Sequence, residues 1–332
     1  MSFDSVKAIV GAELTATDAV IRARLSSEVA LVSQIAEYIV QSGGKRLRPI
    51  LTLLVARACG YGAKSAQTHH HDLAAIVEMI HTATLLHDDV VDESDLRRGR
   101  KTANALFGNA ASVLVGDFLY SRAFQMMVGI GRMDVMQVLS NATNIISEGE
   151  VMQLMNIGNA DVPVERYLTV IRYKTAKLIE AAAQLGAMIA DAPPETVQKM
   201  AECGMHLGTA FQLIDDVLDY DGDAVEIGKN TGDDLREGKP TLPLLYAIEH
   251  GSEAAKATLR LVVESSGAAL EDGRVDFDTA MAHVRDSGGI AFTRKQAEEE
   301  AKRAGARLFA LPESIYRETL LKLTIVSIAR RS

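Results

Sequence analysis

The sequence is poor in everything that interrupts or staples a chain: 7 prolines, 2 cysteines and no tryptophan in 332 residues. So few prolines leave long stretches free to run as helix. The cysteines, Cys59 and Cys203, lie in apolar or mixed helical surroundings with no partner at metal-ligand spacing. They argue against a disulfide framework and a thiolate metal site, and read as buried free thiols in a reducing compartment. A basic excess is missing too, since the net charge is −9, the wrong balance for a nucleic-acid binder. No apolar run reaches the length of a membrane span. The opening MSFDSVKAIVGAELTATDAVIRARL carries acids where a signal peptide would be continuously apolar. These absences lead us to expect a soluble, cytoplasmic protein without a transmembrane segment.

What remains is 48% hydrophobic and 24% charged, with a core palette of Leu, Ile, Val, Ala and Met that favours helices. Helical periodicity runs almost everywhere and strand alternation is nearly absent. SSEVALVSQIAEYIVQSGG reads as an amphipathic helix stopped at Gly43–Gly44, and RPILTLLVARACG as a helix from Pro49 to Gly60. Further helices are expected over 72–93, 110–129, 133–155, 163–190, 194–220, 240–250, 253–266, 277–285, 290–308 and 313–330. No linker or composition shift divides the chain. The expectation is an all-α protein, one domain over 1–332, built as a large bundle of roughly ten or more helices.

Residues 86–92, LHDDVVD, are echoed by residues 213–219, LIDDVLD. Helix residues four apart share a face, so Asp88 and Asp92 point one way with Asp89 turned aside. Asp215, Asp219 and Asp216 repeat the arrangement. A solvated helix end is the ordinary reading of such a run. Two copies at the ends of apolar helices, each opposing the helix dipole, count against it. Clustered like charges next to leucines need a cation, and oxygen ligands without Cys or His suit Mg²⁺, which is completed by water and phosphate oxygens.

Basic groups accompany both clusters. Arg97, Arg98 and Arg100 follow the first, and GGKRLRP places Lys45, Arg46 and Arg48 at a glycine-opened helix start. Lys229 and Lys239 lie in the loop GKNTGDDLREGKPTLP after the second cluster. Guanidinium forks match phosphate oxygens, and glycine lets backbone approach a ligand. Two anionic groups are implied, one held through metal and one by bare cations.

GGKRLRP, DDVVDESDLRRG and FQLIDDVLD, in that order, resemble the trans-isoprenyl diphosphate synthases. HTATLLHDDVVDESD, GNAASVLVGDFLYSRAFQMM and DDLREGKPTLPLL are similar to the long-chain branch, and the likeness covers essentially the whole chain. It implies the isoprenoid synthase fold, a helical bundle around a central cavity. It implies an allylic diphosphate, such as farnesyl diphosphate, bound through Mg²⁺ (three ions with substrate present) on Asp88, Asp92 and Asp215, with Asp89, Asp216 and Asp219 in support. Arg97, Lys174, Thr175, Gln212, Lys229 and Lys239 match positions that contact the allylic diphosphate and the developing cation. Isopentenyl diphosphate would bind Lys45, Arg48, His81 and Arg98. The implied product is a long all-trans polyprenyl diphosphate, eight units by overall similarity, for a quinone side chain. A homodimer and transient membrane association through the lipophilic product follow by the same analogy.

A lone histidine on an apolar helix is usually a core residue, but His81 lies two turns before Asp88 on nearly the same face. His87 has no histidines at metal-site spacing beside it. The run His69–His71 at a loop-to-helix junction is expected to be solvated, with adventitious metal binding as the alternative, and Met126, Met127, Met152 and Met155 to be core or tunnel lining. Ala83 and Thr84 lie one turn below Asp88, about 6–7.5 Å by helix rise. In short-chain relatives aromatic side chains block that level, so small residues there predict a longer tunnel with Phe124, Met126 or Met127 at its floor. Two rivals are a class I terpene cyclase, which would lack the second cluster and GGKRLRP, and a non-catalytic subunit, which would commonly have lost a cluster.

Overall fold

The structure, a computed structural model, describes residues 3–41, 43–62, 68–97, 99–222 and 231–330. It is all-α apart from one antiparallel pair, Leu96–Arg97 with Arg100–Lys101. The chain folds as two compact units. The first joins Met1–Thr143, Leu178–Met205 and Ala304–Val326, and the second joins Asn144–Lys177, His206–Arg303 and Ser327–Ser332.

In the first unit, α1 (Phe3–Ile9), α2 (Gly11–Leu25) and α3 (Ala30–Gln41) precede α4 (Leu47–Ala58) and α5 (His69–Val91). A short helix, α6 (Ala103–Phe107), leads into α7 (Asn109–Ile130). Helices α2, α4 and α7 pack against α5, whose residues Leu73 to Val77 have no exposed surface. That explains why α4 and α5 read as apolar on most faces: each is covered on several sides. Helix α10 (Lys177–Ile189) approaches α4 so closely that a Cβ on Gly186 would come within 2.6 Å of the Thr52 carbonyl oxygen.

Helices α1 and α2 escaped the sequence reading. In α2 only Thr17, Ile21 and Leu25 are buried, too few apolar positions to draw a stripe. The run His69–His71 is not a solvated loop end. It opens α5, and His70 is only 2% exposed. Met126 and Met127 are buried, whereas Phe124 is 38% exposed on α7 and so faces away from the core as the structure stands.

The second unit takes the rest of α8 (Met133–Asn156), then α9 (Val164–Ile171) and most of the C-terminal helices. Met155, expected in the core, is 68% exposed, as are the neighbouring Val151 and Leu154 to slightly lesser degrees. Apolar spacing alone does not distinguish a core stripe from an apolar surface stripe. The helix expected over 163–190 runs on from α9 into α10 through a π-helical turn, Arg172–Ala176. Glycines let neighbours close on that turn. A Cβ on Gly149 of α8 would lie 2.7 Å from the Lys174 nitrogen, and one on Gly208 of α11 (Pro194–Asp221) 2.5 Å from the α-carbon of Ala176.

Candidate active site

The C-terminal turn of α5 carries the first acid cluster. Asp92 ends the helix and its N–H donates to the Asp88 carbonyl, 2.8 Å, so the two carboxyl-bearing residues stack one turn apart. Both are half-buried. Glu93 then adopts a left-handed conformation, φ 50°, and the Ser94 N–H closes on the Asp89 carbonyl at 3.0 Å, the bonding of a helix C-terminal stop. Asn104 of α6 donates to the carbonyls of both Asp89 and Ser94, at 3.1 and 3.2 Å, and fixes this corner.

Asp89 is turned inward and only 4% exposed. It accepts two hydrogen bonds from Arg97, from Nε at 2.7 Å and from Nη2 at 2.6 Å. Both nitrogens converge on the one oxygen, Asp89 Oδ1, a charge-assisted pair that holds the arginine in place. Asp89 therefore anchors Arg97, while Asp88 and Asp92, four residues apart, share a different face of α5. His87 points elsewhere. Its ring lies against Gly116 of α7 and its Nε2 is 3.2 Å from the Val113 carbonyl oxygen.

GGKRLRP folds as the sequence suggested, with one addition. Gly43 and Gly44 take positive φ, 68° and 140°, and so does Arg46, φ 55°, an uncommon state for a residue with a Cβ. Arg46 is held there by the buried Glu78 at 2.8 Å, with Asp18 at 3.4 Å. Lys45 and Arg48 are half-buried on either side of it. A cleft is lined by Arg46, His81, Asp89, Arg97 and Lys101 together with apolar residues such as Met79 and Leu86. Of the residues expected to bind diphosphate it gathers His81 and Arg97; Lys45 and Arg48 are not part of its lining. Arg98 and Lys229 lie outside the described residues.

The second cluster lies near the end of α11. Asp216 is 3% exposed, accepting from the Tyr167 hydroxyl and from Gln212 Nε2 at 2.8 Å. Gln212 Oε1 in turn accepts from Thr175 of the π-helical turn at 2.9 Å. Three expected site residues thus form one hydrogen-bonded chain, Thr175–Gln212–Asp216. Lys174 of the same turn pairs with Glu150 of α8 at 2.6 Å. Asp219 is also buried, and its Oδ2 accepts the Asp234 N–H at 3.2 Å. Lys239 pairs with Glu237 and donates its backbone N–H to the Asp234 carbonyl at 2.8 Å.

Asp215 is partly exposed and is met by Arg330 Nη1 at 2.8 Å. That arginine is itself nearly buried, stacked 3.7 Å over the Phe211 ring and bonded to its carbonyl. Arg330, Tyr167, Glu150 and Asp234 are residues the sequence reading missed. Arg330, Tyr167 and Glu150 are far from the motif in sequence, so no spacing rule could have found them, whereas Asp234 lies within the DDLREGKPTLPLL stretch after the second cluster without standing out from it.

The donor set fits a divalent cation. Burial, then the neighbouring Asp234, push Asp216 to about 8 despite Tyr167 and Gln212, and Asp215 adds to the rise. A buried carboxyl crowded by like charges is stabilised as an anion only by positive charge brought in beside it. With no imidazole or thiolate among these groups, a hard, oxygen-seeking ion such as Mg²⁺ is suited.

Two acid clusters, each accompanied by basic groups, on an all-α scaffold suit a class of enzymes that handle diphosphates through a hard metal. The comparisons with known proteins agree. The family model described as Polyprenyl synthetase matches residues 29–274. The chain is 48% identical to octaprenyl diphosphate synthase of Escherichia coli (strain K12), over 99% of both chains. It is 44% identical to an all-trans-nonaprenyl-diphosphate synthase (geranyl-diphosphate specific) of Rhodobacter capsulatus, over 98% of this chain and 97% of that one. A polyprenyl synthase from Caulobacter crescentus CB15, crystallised with calcium and isoprenyl diphosphate, superposes with a TM-score of 0.94 at 40% identity, covering 100% of this chain and 98% of that one. The chain belongs to the polyprenyl synthetase family. It is a prenyltransferase, a long-chain all-trans polyprenyl diphosphate synthase.

Proposed function

We propose that the enzyme extends farnesyl diphosphate with isopentenyl diphosphate to an eight-unit product, octaprenyl diphosphate, that supplies a quinone side chain. The observation that carries this reading lies on α5. Asp88 and Asp92 stack one turn apart, and Thr84, the next residue back on that face, is small enough to let a chain pass. The kinship to octaprenyl diphosphate synthase supports the number of units.

Asp88, Asp92 and Asp215 would hold Mg²⁺, three ions with substrate present, with Asp219 in support. When bound, Mg²⁺ supplies Lewis-acid neutralisation of diphosphate charge. Arg97, oriented by Asp89, joins Lys174, Lys239 and Lys229 on the allylic diphosphate and stabilises its departure. The oxygens of Thr175 and Gln212, held in line by Asp216, stabilise the positive charge that develops on the allyl group. Lys45, Arg48, His81 and Arg98 hold isopentenyl diphosphate intact, so that its double bond attacks. The departing diphosphate takes the proton that restores the alkene. The enzyme acts in the cytoplasm as a homodimer, an assembly supported by exposed Leu114, Phe124 and Val128 on α7.

Purified protein given farnesyl diphosphate, isopentenyl diphosphate and Mg²⁺, followed by chromatography of the dephosphorylated product against prenol standards, tests the reading. An eight-unit prenol is expected. A seven-, nine- or ten-unit prenol would correct the chain length alone. A cyclised hydrocarbon from farnesyl diphosphate alone would make the protein a cyclase, and activity only with a second chain would make it a subunit.

A further inference from the structure

Away from the acid clusters, one group of metal-ligating side chains is drawn together among the described residues. Glu13 of α2 and His70 and His71 of α5 each offer a ligand atom, and these atoms lie within 4.8 Å of one another. His70 is buried, and neither of its ring nitrogens makes a hydrogen bond among the described residues; the same is true of His71 Nε2. Glu13 Oε1 stands 3.5 Å from His70 Nε2, an ion-pair distance, and also meets the Arg57 Nε. The two imidazoles are 3.9 Å apart between centroids, with Tyr61 at 4.9 Å from His70. His69, by contrast, is half-exposed and 3.5 Å from Asp72.

Buried polar nitrogens are normally satisfied, and an orphaned set calls for a missing partner. Burial, then the adjacent His70, hold His71 below the ordinary histidine value. Burial works against Glu13, yet His70 and Arg57 keep it below the ordinary carboxylate range.

We propose that Glu13, His70 and His71 form a binding site for a transition-metal dication of the Zn²⁺ type, which ties α2 to the first turn of α5. Two imidazoles and one carboxylate are a familiar Zn²⁺ set, with the fourth position left to water. Mg²⁺ does not suit it, because the Arg57 guanidinium and the positive end of α5 oppose any cation held by charge alone. Only an ion that bonds nitrogen strongly overcomes that opposition. The site belongs to the scaffold and takes no part in prenyl transfer.

The test uses untagged, full-length protein freed of metal and kept in excess Mg²⁺ to occupy the aspartate clusters. Zn²⁺ alone is titrated in competition with a chromophoric chelator. One Zn²⁺ per chain is expected, bound at least tenfold more weakly by His71→Ala and by Glu13→Gln and unchanged in His69→Ala. One equivalent should raise the melting temperature of the wild type and leave that of His71→Ala unmoved. His70→Ala is avoided because its burial makes misfolding an alternative cause of lost binding. Absence of stoichiometric Zn²⁺, equal affinity in His71→Ala, or an equal loss in His69→Ala would overturn the proposal.

Discussion

Asp88 and Asp89 are neighbours in sequence, yet α5 assigns them different work. Asp88 shares a helix face with Asp92, while Asp89 turns inward and is held by Arg97. Asp88→Ala is expected to lower turnover about 10²- to 10³-fold, as when one preorganised electrostatic stabiliser is removed, with unchanged circular dichroism and melting temperature. Loss of fold instead would mean that the cluster is structural. A second residue-scale prediction concerns Glu300, which is 7% exposed and accepts from His206 at 2.6 Å and Arg303 at 2.9 Å. Burial opposes its ionisation, but His206 and then Arg303 hold it below its ordinary value of 4.5. A carboxyl lowered in this way adds stability above that value and loses it as pH falls through the lower folded one. Glu300→Gln should therefore cost about 1–3 kcal/mol in urea melts at pH 7. The gap to wild type should close in acid, below the ordinary value.

At the scale of elements, α5 presents different faces to different partners. Thr84 shares the Asp88 face, being one turn away. Ala83 lies instead on the stripe of His87, whose ring meets Gly116 of α7, and has no exposed surface. The pair expected from sequence to set chain length is thus split between the Asp88 face and the stripe that His87 turns to α7. Thr84→Phe is expected to yield shorter prenols by product chromatography with little change in melting temperature. Ala83→Tyr should cost about 1–3 kcal/mol of stability by overpacking against α7. If Ala83→Tyr alone shortened the product, the growing chain would run along the α7 side. The two aspartate helices were legible in sequence because their burial on most faces makes the apolar run long and the acids conspicuous. The π-helical turn was not, because nothing local in RYKTA departs from helix. It depends on Gly149 and Gly208, which let other helices close on it.

For the whole molecule, the apolar stripe of α7 has Leu114, Phe124 and Val128 at 66%, 38% and 63% exposure, more than scattered surface leucines explain. Light scattering is expected to give a dimer mass for the wild type and a monomer mass for Leu114→Glu; a monomeric wild type would remove the homodimer. By itself the sequence determined the all-α class, the long helices, the two aspartate clusters and the glycine-opened basic turn. These depend on periodicity and spacing within single helices, where backbone geometry alone decides which residues share a face. Only the tertiary structure decided that Asp89 is the aspartate of the first cluster that holds an arginine. It also decided that Arg330 reaches Asp215, that Met155 lies on the surface, and that His70 is buried beside Glu13. Those outcomes depend on what packs against each helix from distant parts of the chain, and burial, unlike helix phase, is a property of the neighbours.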